Sequence, residues 1–174
     1  MSPGSKRQSG FTFLELIAVV VTLGVLAFAA YIAATGTKAE AEISDGTRFI
    51  VANASSTLGQ VYMTTDGSYN VLRGASFDQT ASRNALIQRG MPRQLPWGQE
   101  WVVVDIPAGA QSVTVDWRCS ALRLTCEDLR AAVQARVSAD PLAHTSVGAR
   151  GIQSVGLEGA DDTEAVRVVY GRPS

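Results

Sequence analysis

Glu15 is the only acidic or basic side chain between Phe11 and Thr37. Placing a carboxylate at helix depth in a bilayer costs about 3 kcal/mol on insertion scales, so it needs compensation. A helix amino terminus recovers a fraction of that through its dipole. A cation at the same depth recovers more, and a chain cut between Gly10 and Phe11 would supply one as a new α-amine. Phe11 and Glu15 stand four residues apart, on one face of a helix. The chemistry these residues suit is charge pairing in an apolar setting.

Cys119 and Cys126 are the only cysteines, with six residues between them. They lack the C-x-x-C spacing of redox and metal sites. A bridge between them closes a short loop and stabilises by about 2.5 kcal/mol on the loop-entropy formula. We read a structural disulfide joining a strand end to a helix start. His144 has no second histidine to work with and no Gly-x-Ser-x-Gly elbow near it, so it reads as a loop-surface residue. Asp161, Asp162 and Glu164 have the oxygen ligands that Ca²⁺ takes, but in a polar loop three acids read as solvated. Arg83, Arg89 and Arg93 are the only basic concentration and read as a solvated face. With 15 Lys+Arg against 16 Asp+Glu, the chain lacks the basic excess of nucleic-acid binders. No catalytic residue, metal, cofactor or nucleic-acid partner is expected.

These residues need elements to position them. Leu16 to Ala34 is a run of 19 residues with no charge and no proline. At 1.5 Å per residue it spans roughly 28 Å, close to the ~30 Å hydrocarbon core of a bilayer. Lys6 and Arg7 precede it, which orients Met1 to the cytoplasm and the chain beyond Lys38 outside. A secretory signal peptide is the alternative, with Ala39-x-Ala41 imitating a cleavage site; its apolar core is usually shorter and charge-free. A plain anchor carrying an unrelated outer domain is the other.

Beyond the apolar run, Ala39, Ile43, Ile50, Ala54, Leu58 and Val61 recur at helical intervals. One helix is therefore expected from Phe11 to about Met63, closed by the turn residues Thr64 to Gly67. Gly24, Gly36 and Gly46 interrupt it at about 1 kcal/mol each relative to alanine. Close packing is the simpler reading of them, and bending or melting during assembly the alternative. A short helix is expected over Asp78–Gly90, with Ala81, Ala85, Leu86 and Ile87 inside. Strands follow at Glu100–Ile106 and Ser112–Arg118, with a turn at Pro107–Ala110. Thr125 and Asp128 form a capping box that opens a helix bearing Leu129, Ala132, Val133, Arg136 and Val137 on one face, Arg136 at its edge. Strands at Gly151–Leu157 and Ala165–Tyr170 complete an α+β architecture. Residues 1–10 read as a leader, 11–63 as the long helix with 11–35 in the membrane or a filament core, and 64–174 as a globular head. That head is an antiparallel sheet on which the amphipathic half of the long helix packs.

The basic leader, Gly10 and the run Phe11-Thr12-Phe13-Leu14-Glu15-Leu16 ahead of a long apolar helix resemble the amino terminus of type IV pilins and pseudopilins. The resemblance implies the pilin fold and cleavage after Gly10 by a prepilin peptidase. It further implies methylation of the Phe11 amine, and pairing of Glu15 with a neighbouring subunit's amine during assembly. Further along, Arg89-Gly90-Met91-Pro92, Pro96-Trp97-Gly98 before a hairpin, and a cysteine at a helix start are similar to type IVb major pilins of thin, conjugation-associated pili. The ten-residue leader and Phe11 are features more typical of type IVa pilins and pseudopilins. The expected function is thus a pilus structural subunit that self-assembles into a helical filament through its apolar helix. Its partners would be the prepilin peptidase and an inner-membrane assembly machinery. It would sit in the inner membrane, head periplasmic, until assembled into an extracellular pilus. The alternatives are a minor pilin or type II secretion pseudopilin, and a membrane-anchored extracytoplasmic binding domain.

Overall fold

The computed structural model describes residues 13–139, 151–159 and 164–171. The chain divides into two compact units, Met1–Lys38 and Ala39–Ser174, and the division falls inside helix α1 (Phe13–Arg48). The described part of the first unit is helix alone. The second unit is the head.

The head is built on a four-stranded antiparallel sheet: β1 (Trp101–Asp105), β2 (Ser112–Arg118), β3 (Ile152–Glu158) and β4 (Ala165–Gly171), in the order β1-β2-β4-β3. Alternation along the strands sends one set of side chains inward. Val113 opposes Tyr170, Val115 opposes Val168 and Trp117 opposes Val166, and all six are buried. Trp101 and Val103 of β1 extend this inner face. The aromatic rings interlock: Trp117 stands edge-on to Tyr170 at 6.2 Å and to Phe49 at 5.6 Å.

Two helices carry the expected caps. Asp78 accepts a hydrogen bond from the Ala81 amide at 2.7 Å and opens α4 (Gln79–Gln88). Thr125 and Asp128 cap α5 (Cys126–Ala139) reciprocally, each side chain accepting the other's amide at 2.9–3.1 Å. Along α5, Leu129, Val133 and Val137 are buried, Ala132 is half-buried and Arg136 is exposed. In α4 the buried residues are Ser82 and Leu86, whereas Ala81 is exposed. Ser82 goes inside because its hydroxyl reaches the carbonyls of Leu72 and Asp78, both at 2.7 Å. Leu72 belongs to a one-turn helix, α3 (Asn70–Arg73).

The long helix departs from expectation in one respect. It is not α-helical throughout, because Phe49–Ala54 forms a π-helical segment before α2 (Ser55–Thr64). Phe49, Ile50 and Val51 are all buried, three consecutive residues that the narrow apolar stripe of a surface α-helix does not place together. Widening the turn lets them pack as a group.

Candidate assembly and anchoring site

Between Leu16 and Ile32 the large apolar side chains of α1 are exposed. Leu16, Val20, Val25, Leu26, Phe28 and Ile32 are each more than half exposed. The most apolar 18-residue window of this helix has a mean hydropathy of 2.1 and none of it is buried. An exposed apolar helix of this length is compatible with membrane anchoring. Gly24 and Gly36 share this openness, since a side chain at either would meet nothing within 4 Å. Glu15 falls in the first turns of α1, while its side chain, together with Gly10 and Phe11, lies outside the described residues.

Beyond Lys38 the helix is held tightly. A Cβ on Gly46 would come within 2.5 Å of the Trp97 ring and 3.2 Å of Leu129, so close packing is what this glycine serves. The Trp97 indole N–H donates to the Arg118 carbonyl at 2.8 Å, which fixes the ring against the glycine. One turn earlier, the Glu42 carboxylate accepts from the Arg123 amide and from its Nε, both at 3.2 Å. In the π segment, Tyr170 Oη donates to the Ile50 carbonyl at 3.1 Å. Burial pushes the Tyr170 phenol well above its ordinary pKa, with the Trp117 indole working the other way.

Arg123 sits in the loop that the disulfide closes. Cys119, after β2, is bonded to Cys126, at the start of α5, with the Cα atoms 5.4 Å apart. Both are buried. The bridge therefore holds the loop whose Arg123 grips Glu42.

Of the three arginines of the α4 region, Arg89 and Arg93 are exposed and Arg83 is half-buried. Arg83 donates to the Arg93 carbonyl at 2.8 Å, pairs with Glu100 at 3.3 Å and stacks over Trp101 at 5.4 Å. Arg89 donates back to Ala85 of its own helix. On the outer sheet face Arg167 makes a bidentate pair with Asp116, both bonds 2.8 Å, and also reaches Glu158. The Asp116 hydrogen bonds raise the Arg167 pKa. This cross-strand triad was invisible in sequence because its members lie on three strands. Among the described residues, no group of three His, Cys, Asp or Glu is placed to hold a metal ion. His144, Asp161 and Asp162 lie outside the described residues, and Glu164 lies beside them.

Sequence reasoning also missed the Glu42–Arg123 and Tyr170–Ile50 contacts, which join residues 81 and 120 positions apart. No protein-family model, curated protein or solved structure matches this chain.

Proposed function

We propose that this protein is the structural subunit of a type IV pilus, processed after Gly10 and polymerised through its apolar amino-terminal helix. The observation that carries the reading is the uncovered apolar stretch of α1, more than half exposed at most of its large side chains. A membrane takes that surface before assembly, and neighbouring copies take it afterwards. Glu15 then acts as a registry device. In a filament core an unpaired carboxylate costs several kcal/mol, and a neighbouring subunit's Phe11 amine offsets that cost in one axial register only. The prepilin peptidase and an inner-membrane assembly machinery are the partners this requires. The head is extracytoplasmic, where the Cys119–Cys126 disulfide can form and persist.

Terminal sequencing of the mature protein tests the reading. We expect it to begin at Phe11, and we expect Gly10→Val to leave precursor. Glu15→Ala should still insert and be cleaved, yet build few filaments when it is the only copy expressed. A mature terminus near Ala39 or Glu42 would overturn the proposal in favour of a conventional signal peptide. Normal filaments from Glu15→Ala would remove the registry role.

A further inference from the structure

The surface that α1 and its π segment share with α5 carries a groove of about 740 Å³, floored by Ile43, Val51, Leu124 and alanines of both helices. Leu124 is 38% exposed there. The two helices run in the same sense, since Glu42 meets Arg123 and Gly46 meets Leu129 further along both. Each lines the groove with an acid and, eight residues later (48 − 40 and 136 − 128), an arginine: Glu40 and Arg48, Asp128 and Arg136. Eight helical residues rise about 12 Å. The groove is therefore acidic at one end and basic at the other. All four side chains belong to exposed residues. Glu40, Arg48 and Arg136 make no ion pair among the described residues, and Asp128 is engaged only in its cap with Thr125.

We propose that this groove is a contact surface for a second copy of the chain, displaced by about 12 Å along α1. Glu40 and Asp128 of one copy then meet Arg48 and Arg136 of the next. A copy in register would set like charge against like, which is repulsive; the displacement replaces this with unlike pairs at the rim of an apolar floor. Because the contact joins one end of the surface to the other end of its neighbour, it is heterologous and propagates as an open chain. Two opposed copies would also match charges, but as a closed pair. The same-sense arrangement rests on the pilus-subunit reading, in which all copies leave one membrane in one direction.

Full-length protein in detergent, compared by sedimentation equilibrium at low and high salt, tests the surface. The variants are Arg48→Glu and Glu40→Lys, with an intact disulfide and unchanged circular dichroism as the folding controls. Each variant alone should associate about tenfold more weakly than wild type at low salt. An equimolar mixture of the two should recover most of the loss, because the reversed end of one then faces the reversed end of the other. Wild-type association by either variant, or a mixture as weak as its components, overturns the proposal. A closed dimer that does not extend overturns the same-sense arrangement. Electron microscopy of expressing cells separates the two readings. Normal filaments from Arg48→Glu sink the surface and leave the pilus reading standing. Charge-dependent association with no filaments from wild type does the reverse.

Discussion

The Tyr170 hydroxyl donates a hydrogen bond to the Ile50 carbonyl at 3.1 Å, tying the last strand to the one stretch of the long helix that is not α-helical. Ser55 Oγ approaches the same oxygen at 3.4 Å. A π turn passes each carbonyl's internal bond from residue i+4 to i+5, and the second lone pair of a buried carbonyl can take a side-chain donor. Tyr170, fully buried beside Trp117, supplies it.

Tyr170→Phe should therefore destabilise the head by about 1–3 kcal/mol, the range for leaving a buried acceptor short of its partner. Urea unfolding should show a lower midpoint with an unchanged slope. An unaltered midpoint would mean that Ser55 alone satisfies Ile50.

Alkali should unfold the head. Burial raises the Tyr170 pKa, and burial followed by the charge of Tyr62 raises that of Tyr69. Both phenols stay protonated in the folded state while the unfolded chain loses those protons above about pH 10. Their contribution is thus complete below pH ~10 and lost as pH rises through the folded values, at about 1.4 kcal/mol per pH unit for each tyrosine. Stability measured at rising pH should fall with that slope, and Tyr170→Phe should remove one tyrosine's share.

Gly46 and Gly36 should respond oppositely to alanine. Gly46→Ala forces the Trp97 ring away from a position held by the Arg118 carbonyl, at a cost of about 1–3 kcal/mol. Gly36→Ala meets nothing within 4 Å and should be neutral or gain up to about 1 kcal/mol of helix propensity. Thermal midpoints of the two variants decide this. Equal shifts would show that Trp97 gives way freely.

Replacing both cysteines by serine should lower head stability by about 2.5 kcal/mol. It should also speed amide exchange around Glu42, because the bridged loop presents Arg123 to it. Glu42→Gln keeps the bridge and should cost less than about 1 kcal/mol, as expected for a partly exposed pair. Exchange by mass spectrometry reads both effects. Unchanged exchange at Glu42 in the serine variant would show that the loop holds its shape without the disulfide.

The sequence alone was sufficient for features set by local chemistry. The charge-free run from Leu16 to Ala34 and the Thr125–Asp128 capping box depend on residues a few positions apart. So do the alternation of β2 and the cap at Asp78. Each is governed by helix or strand periodicity, which a single chain displays openly. The cysteine pair was legible because only two cysteines exist. Tertiary structure decided what depends on distant partners. Ser82 is buried and Ala81 exposed because the carbonyl of Leu72 waits on one side of α4. Gly46 is packed while Gly24 and Gly36 stay open because only the first faces Trp97. The π turn at Phe49–Ala54 forms where the sheet brings Trp117 and Tyr170 against three consecutive apolar residues. Periodicity states which face of a helix is apolar; it does not state what will arrive there from 120 residues away.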